Sequence, residues 1–277
     1  MYLICMKGYY NMDLTSPRTI RNIQEQFGFT FKKGLGQNFL TARNILEEIV
    51  DAAEIESGVI EVGPGFGVLT SELAQNSDKV VTIEIDERLI DVLDYTLAEY
   101  DNVKIINEDI LKLDLKKVID DEFNGEKVSI AANLPYYITT PIITKLLEEK
   151  LPIKNIVVMV QKEVAERMSA KPSTKDYGAI TVLCQYYTEP SIVANVPASL
   201  FVPPPKVDSA VLKLKVLDKP SVEVKDEGVF FRVVKAAFSQ RRKTLLNCLS
   251  ANFPIPKDEI STLLESIGIA PSRRGET

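Results

Sequence analysis

Histidine and tryptophan are both absent from this chain of 277 residues. The lack of histidine excludes Ser-His-Asp and Cys-His nucleophile sites and most catalytic zinc sites, because imidazole is the base or the metal ligand in each of them. The three cysteines, Cys5, Cys184 and Cys248, lie far apart and form no Cys-x-x-Cys pair. We therefore expect neither a disulfide framework nor a metal site.

Long apolar segments are missing as well. No run approaches the roughly 18 apolar residues of a transmembrane helix, and the N-terminus lacks the basic-then-apolar layout of a secretory signal. With 45% apolar residues the chain can still bury one large core, or one large and one small. We expect a cytoplasmic protein that does not enter a membrane. Residues 1–11 show no pattern, so we expect an extension or an alternative start before Met12.

Acidic residues outnumber basic ones, and the net charge of −6 taken alone argues against a nucleic-acid partner. The distribution of the charges argues for one. Residues 1–46 carry a net +4 and residues 228–257 a net +6, whereas residues 47–227 carry −14. Two basic segments that converge in the fold indicate a polyanionic ligand, although a solvated basic face is the alternative interpretation.

The best organised stretch is residues 59–73, VIEVGPGFGVLTSEL, which predicts a buried strand, a glycine turn and the start of a helix. Gly63, Gly65 and Gly67 supply backbone with positive φ and close approach to a ligand, and an ordinary tight turn is the alternative. A dinucleotide fingerprint would be Gly-x-Gly-x-x-Gly, but here the third glycine comes one residue early and Val68 follows it. The spacing disfavours a nicotinamide dehydrogenase.

A second apolar segment, residues 80–85, predicts a strand that ends in Glu84. Its carboxylate lies where a ribose would be held by its hydroxyls, and it disfavours a phosphate at the same place. The turn and this acid together indicate an adenosine with free ribose hydroxyls and no pyrophosphate. S-adenosylmethionine is such a ligand.

Strand and helix patterns alternate along most of the chain. Strands are predicted at residues 59–62, 80–85, 103–106, 127–132, 156–160, 191–196 and 207–216. This alternation predicts an α/β fold with a parallel doubly wound sheet, whose ligands collect at the carboxyl ends of the strands. Thr41 is expected to cap the helix that precedes the first of these strands. The predicted division is residues 1–40 as N-terminal extension, helix and basic loop, residues 41–217 as the sheet domain, and residues 218–277 as a small helical domain.

The segment Asn133-Leu134-Pro135-Tyr136 follows the fourth predicted strand. An exocyclic purine amino group attacks poorly because its lone pair is delocalised into the ring. The Asn133 oxygen and a backbone carbonyl held rigid by Pro135 are suited to accept its two N–H bonds and to orient the lone pair at a sulfonium methyl. Tyr136 is suited to stack on the base. An Asn-Pro turn after a strand is the alternative interpretation.

Seven motifs together resemble the ribosomal RNA adenine dimethyltransferases of the bacterial small subunit, over about residues 12–277. They are LGQNFL at 35–40, EVGPGFGVLT at 61–70, EID at 84–86, ANLPYYITTPI at 132–142, VMVQKEVAERM at 158–168, FVPPPKVDSAV at 201–211 and AAFSQRRKTLLN at 236–247. The resemblance implies a Rossmann-like S-adenosylmethionine-dependent methyltransferase sheet with a small all-helical C-terminal domain. It also implies transfer of methyl groups to N6 of two adjacent adenosines near the 3′ end of 16S rRNA, giving N6,N6-dimethyladenosine during small-subunit biogenesis.

The resemblance and the motifs assign roles to individual residues. Those expected to bind S-adenosylmethionine are Asn38, Leu40, Gly63, Gly65, Glu84, Asp109 and Asn133, with Glu84 on the ribose and Asp109 on the adenine amino group. Those expected to act on the target are Asn133, Leu134, Pro135, Tyr136 and Phe201, with the two aromatic rings on either side of the adenine. Those expected to contact rRNA phosphates are Lys32, Lys33, Arg241, Arg242 and Lys243, each of which has a solvated surface charge as its alternative.

Two departures from the family accompany the resemblance. The sequence stops at Thr277, where the family continues into a final helix, so the small domain is expected to be truncated. The overall charge is also unusually acidic. The alternatives are a large-subunit rRNA adenine methyltransferase of the macrolide-resistance type, in which the core motif tends to be Asn-Ile-Pro-Tyr, and a non-catalytic nucleic-acid-binding factor on the same fold. We expect a monomer that needs no metal.

Overall fold

A computed structural model of the chain describes residues 12–30 and 38–277. Its helices are α1 (Pro17–Phe27), α2 (Arg43–Ala53), α3 (Val68–Gln75), α4 (Ile90–Thr96), α5 (Leu115–Phe123), α6 (Thr139–Glu148), α7 (Lys162–Met168), α8 (Ala179–Tyr187), α9 (Glu227–Ala237), α10 (Leu245–Asn252) and α11 (Lys257–Ser266). Its strands are β1 (Phe39–Leu40), β2 (Val59–Val62), β3 (Val80–Glu84), β4 (Val103–Asn107), β5 (Val128–Asn133), β6 (Ile153–Gln161), β7 (Thr188–Val196), β8 (Phe201–Val202) and β9 (Ser209–Val216). The expectations for residues 1–11, Lys32 and Lys33 lie outside the described residues.

A seven-stranded sheet forms the centre of the fold, in the order β4-β3-β2-β5-β6-β9-β7. The five strands from β4 to β6 are parallel, β9 is antiparallel to β6, and β7 is antiparallel to β9. The strand order reverses direction between β2 and β5, and this is the switch point at which doubly wound sheets bind ligands. The predicted α/β fold class is confirmed.

Apolar side chains on the two faces of the sheet form separate cores. Ile60 of β2 belongs to a cluster with α5 to α8, whereas its neighbour Val59 belongs to a cluster with α1 to α4. Successive strand residues point to opposite faces, so a parallel strand covered by helices on both sides is apolar at most positions. Among the described residues, no helix has both the length and the apolar character that a membrane span requires.

The three C-terminal helices have a small core of their own, built from Ala236, Leu249, Ile260 and Leu264. Glu227, at the start of α9, joins these helices to the sheet region, since its carboxylate accepts from Lys150 Nζ at 2.6 Å and from the Tyr186 hydroxyl at 3.2 Å. The separate core supports the predicted division, and we propose residues 217–218 as the boundary.

One local prediction was wrong, and one helix was missed. Thr41 does not cap α2, because Ala42 occupies the cap position and Thr41 Oγ1 donates to the Leu200 carbonyl 2.8 Å away. Helix α8 was not predicted at all, because its sequence AITVLCQYY is apolar on nearly every position and shows no helical period. The partner of Thr41 lies 159 positions away in the sequence.

Candidate functional site

A cavity of about 1050 Å³, counted out to its open mouth, lies at the carboxyl ends of the parallel strands. All seven predicted cofactor-binding residues line it, namely Asn38, Leu40, Gly63, Gly65, Glu84, Asp109 and Asn133. The sheet brings them together because parallel strands end at the same edge. Apolar side chains such as Leu46, Ile83 and Ile110 form much of the remaining wall. An apolar cavity with a few polar groups at fixed positions is typical of a small-molecule site.

The glycine turn between β2 and α3 forms one wall of the cavity. Gly63 and Gly65 have φ of +71° and +60°, which side chains rarely adopt. A Cβ atom on Gly65 would lie 2.7 Å from the ring of Phe39, which stacks on Phe66 with a centroid separation of 4.3 Å. A Cβ atom on Gly63 would meet no atom within 4 Å. Gly65 is therefore required by packing, and Gly63 leaves the cavity side of the turn open.

Glu84, at the end of β3, places a buried carboxylate in the cavity wall. Burial raises its pKa to about 7, and backbone N–H groups of Asp86 and Gly65 offset part of that increase. The Asp86 N–H lies 2.8 Å from Glu84 Oε1. Because a carboxylate has about four acceptor positions, this arrangement leaves capacity for hydroxyl donors of a ligand.

Asp109 follows β4 and also lines the cavity. Its Oδ1 accepts from the Leu111 N–H at 3.0 Å, and its carbonyl accepts from Lys112 N–H at 2.8 Å. These bonds hold the turn after β4 and fix the carboxylate near the cavity. A role in binding an adenine amino group stays a prediction.

Asn133 ends β5, and its side-chain amide is held in one orientation. Its Nδ2 donates to the Asn38 carbonyl at 3.0 Å, so the amide nitrogen is directed at the segment that precedes β1. The other polar atom of that amide, Oδ1, is an acceptor. Pro135 lines the cavity beside it, whereas Leu134 is buried in the core and its N–H donates to the Met159 carbonyl. The turn is thus anchored by hydrogen bonds from both Asn133 and Leu134.

The two predicted stacking residues do not belong to the cavity wall. The Tyr136 hydroxyl lies 2.8 Å from Ser209 Oγ at the start of β9. Phe201 is only 3% exposed and pairs with Leu40 in the small β1–β8 sheet. The placement of both rings around an adenine therefore stays a prediction.

Several lining residues were missed from the sequence. Tyr137 is 58% exposed and Ile85 53% exposed, and both line the cavity. Each directly follows a predicted site residue, which was the one signal available. Glu61, in the interior of β2, is another omission, and an acid within an apolar strand should have marked it.

Glu61 is fully buried, and burial raises its pKa to about 8. Thr70 Oγ1 donates to its Oε2 at 2.6 Å, and repulsion from Glu84 adds to the increase. The folded chain thus holds protons on both acids at a pH where the unfolded chain has released them. The stability that these neutral acids contribute is complete below about pH 4.5 and is lost as the pH rises through 7 to 8.

Cofactor-free protein is therefore expected to be less stable at about pH 8.5 than at about pH 5.5, with a melting temperature lower by about 5 °C. Glu61→Gln keeps an acceptor for Thr70 and should remove much of the difference. Calorimetry of the wild type and of Glu61→Gln at these two pH values measures the difference in melting temperature. Acids whose pKa is lowered, such as Glu122, change the stability with pH only in a more acidic range, so they do not contribute to this difference. Equal pH dependence in the wild type and the variant would contradict the assignment.

The predicted phosphate contacts Arg241, Arg242 and Lys243 are exposed in the turn between α9 and α10. Arg241 has a structural bond as well, because its Nη2 donates to the Lys175 carbonyl at 2.6 Å. Within residues 12–30 and 38–277, no group of three or more Cys, Asp or Glu side chains is arranged to hold a metal ion. The independence from metal stays a prediction.

Comparison with known proteins gives a consistent picture. A sequence profile described as "Ribosomal RNA adenine dimethylase" matches residues 28–272. A protein of Bacillus mycoides named "Ribosomal RNA small subunit methyltransferase A" is 55% identical over 271 residues, which are 96% of this chain and 93% of the relative. A protein of the same name from Bacillus anthracis shows the same identity and coverage.

Solved structures are similar over most of the chain. A dimethyladenosine transferase from Plasmodium falciparum has a TM-score of 0.68 and 30% identity, with 86% of this chain and 92% of that protein covered. The 23S rRNA methyltransferase ErmE has a TM-score of 0.64 and 28% identity, with 86% and 93% covered.

Proposed function

The chain belongs to the ribosomal RNA adenine dimethylase family, and on that premise we propose that it dimethylates N6 of two adjacent adenosines near the 3′ end of 16S rRNA. The observation that carries the proposal is the cavity, which brings together the glycine turn, the carboxylates of Glu84 and Asp109, and Asn133 and Pro135 of the Asn-Leu-Pro-Tyr segment at one sheet edge. The relatives at 55% identity act on the small subunit by name, which favours 16S rRNA over the substrate of ErmE.

S-adenosylmethionine fits the residues of the cavity. Gly63 leaves the turn open, Glu84 offers acceptor capacity to ribose hydroxyls, and Asp109, at the neighbouring strand end, would bind the adenine amino group. Asn38 and Leu40 line the same cavity. When bound, the cofactor supplies a methyl group activated by a sulfonium.

Asn133 would prepare the nucleophile. With Nδ2 bonded to the Asn38 carbonyl, the Oδ1 atom is the part of the amide that accepts from the target amino group. A carbonyl of the adjacent Pro135 turn would accept the second N–H, and together the two acceptors direct the nitrogen lone pair at the methyl group. The first product still has one N–H for Asn133, so the second transfer uses the same acceptor. The surplus proton leaves to solvent afterwards.

The target adenosine would enter as an unstacked base from a single-stranded RNA segment, because a base within a helix cannot reach such a cavity. Tyr136 and Phe201 would hold its two faces. Since both rings are packed elsewhere in this structure, we propose that they turn toward the base when RNA binds. The enzyme is proposed to act as a cytoplasmic monomer that uses no metal.

Incubation with methyl-labelled S-adenosylmethionine and small ribosomal subunits that lack the modification tests the proposal. The expected product is N6,N6-dimethyladenosine near the 3′ end of 16S rRNA, identified by nucleoside analysis of the separated rRNA. Transfer to 23S rRNA instead would favour the large-subunit alternative. Cofactor binding without transfer to either RNA would favour a binding factor.

The C-terminal turn should contribute to RNA binding through charge. Arg242→Gln with Lys243→Gln is expected to lower the slope of log affinity against log salt by about two, because each phosphate contact contributes about 0.9. This pair leaves the Arg241 bond to Lys175 in place. Binding to unmodified subunits between about 50 and about 200 mM salt measures the slope. A slope equal to that of the wild type would remove this turn from the RNA surface.

A further inference from the structure

Tyr137 lines the cavity and yet is 58% exposed, so it lies at the mouth. Phe39, another aromatic residue that lines the cavity, is buried. Among residues 12–30 and 38–277, the ring of Tyr137 packs on no other aromatic ring, and its hydroxyl has no hydrogen-bond partner. Single exposed apolar side chains are common on protein surfaces, so a role for Tyr137 must follow from its position.

The backbone that carries Tyr137 is fixed on both sides. The Pro135 carbonyl accepts from the Ile138 N–H at 3.2 Å and from Thr139 Oγ1 at 3.2 Å. Thr139 is buried at the start of α6, and Leu134 is buried in the core before the turn. A tyrosine side chain has only two χ angles. The ring is therefore presented by a rigid turn, and binding to it costs little conformational entropy.

Tyr137 lies at the end of the cavity that is assigned to the target adenosine. Glu84 and Asp109, assigned to the ribose and adenine of the cofactor, lie at the ends of β3 and β4, whereas Tyr137 follows β5. Strand β2 separates β3 from β5, so their ends lie about 10 Å apart at a strand spacing of about 4.8 Å. Asn133, assigned to the target amino group, belongs to the same turn as Tyr137. RNA that delivers a base to Asn133 therefore passes beside Tyr137.

A substrate with two adjacent target adenosines needs a place for a second base. Whenever one adenosine is inside the cavity, the nucleotide next to it lies at the mouth. Extrusion of the target also removes a stacking partner from that neighbour and exposes one face of its base. Stacking on an aromatic side chain changes affinity about 5- to 150-fold per base, and it tolerates any base because each has a π-face.

We propose that the exposed ring of Tyr137 stacks on the nucleotide next to the target adenosine and so positions the target at Asn133. The inference rests on the proposed function. It gives Tyr137 a role separate from those of Tyr136 and Phe201, which are assigned to the target base itself. Because stacking uses the face of a base and not its N6 hydrogens, Tyr137 holds the neighbouring nucleotide equally well before and after that nucleotide is methylated.

Tyr137→Ala and Tyr137→Phe test the inference in the full chain. The substrates are unmodified small subunits and two reconstituted forms, in each of which one adenosine of the pair is abasic and the other remains the target. The wild type should lose about tenfold in kcat/KM on the abasic form that lacks the stacked base. Tyr137→Ala should show this loss already on natural subunits, and no further loss on that form, because the two changes remove the same contact.

The loss should appear in the KM for subunits and leave kcat near that of the wild type, because the stack is present before and during methyl transfer. Tyr137→Phe keeps the ring and should match the wild type on all three substrates. The affinity of Tyr137→Ala for S-adenosylmethionine should equal that of the wild type. A weaker affinity would assign the ring to the cofactor and overturn the inference.

Tyr95→Ala is the matched control, because Tyr95 is a tyrosine that is 43% exposed and does not line the cavity. Its kcat/KM should equal that of the wild type on natural subunits. Normal transfer by the wild type, beside losses for Tyr137→Ala and for both abasic forms that simply multiply, would overturn the inference and leave the proposed function intact. A wild type that transfers no methyl group to 16S rRNA would contradict the proposed function and the inference together.

Discussion

Asn133→Ala is expected to lower the rate of methyl transfer about 10² to 10³-fold, the usual effect of removing one preorganised hydrogen-bonding group from a reaction centre. The variant loses the acceptor for the target amino group and the bond from Nδ2 to the Asn38 carbonyl. Because the glycine turn and Glu84 are untouched, the affinity for S-adenosylmethionine should change less than about 3-fold. Single-turnover transfer to unmodified subunits, beside calorimetric cofactor titration, separates the two effects.

Two further variants make this test specific to the amide. Asn133→Asp keeps an acceptor but sets a second oxygen against the Asn38 carbonyl, so its rate should lie between those of the wild type and Asn133→Ala. Asn195→Ala, an exposed asparagine on β7, should transfer at the wild-type rate. Near-normal transfer by Asn133→Ala would show that Asn133 does not prepare the nucleophile.

Glu84→Ala is expected to lower the affinity for S-adenosylmethionine about 10²-fold. Hydrogen bonds to a charged group contribute about 1.5 to 3 kcal/mol each, and two ribose hydroxyls would lose their acceptor. The same change removes a buried carboxylate whose pKa burial has raised to about 7, so the cofactor-free variant should be more stable than the wild type at about pH 8. If Glu84→Ala binds S-adenosylmethionine more weakly and is also more stable without it, the Glu84 carboxylate lowers stability and is retained because it binds the cofactor.

Adenosine is the sharper probe of Glu84, because it carries the ribose hydroxyls and has no group that titrates near neutral pH. Its affinity should rise up to tenfold from about pH 6 to about pH 8 as Glu84 ionises. Glu84→Gln should bind weakly and without this pH dependence, whereas Glu61→Gln, at the neighbouring buried acid, should keep it. A variant Glu84→Gln with unchanged adenosine affinity would place the ribose elsewhere.

The cavity was predictable to a large extent because its residues stand at regular places in a repeating pattern. Gly63, Glu84, Asp109 and Asn133 each lie at or just after the end of an apolar strand, and the alternation of strands and helices requires those strand ends to meet. Tyr137 and Ile85 were missed because exposure at the mouth of a cavity leaves no periodic signal in the sequence.

The sequence by itself determined the α/β class, the strand ends that carry the site and the family, since apolar periodicity, turn glycines and motifs are local properties. Only the tertiary structure decided the partners of single side chains. The raised pKa of Glu61 follows from burial by distant elements, and Thr41 bonds to Leu200 instead of capping its helix. Likewise Arg241 donates a hydrogen bond to the Lys175 carbonyl only because α8 and α9 pack together. Contacts between residues far apart in the sequence depend on how whole helices and strands pack, which local sequence patterns do not specify.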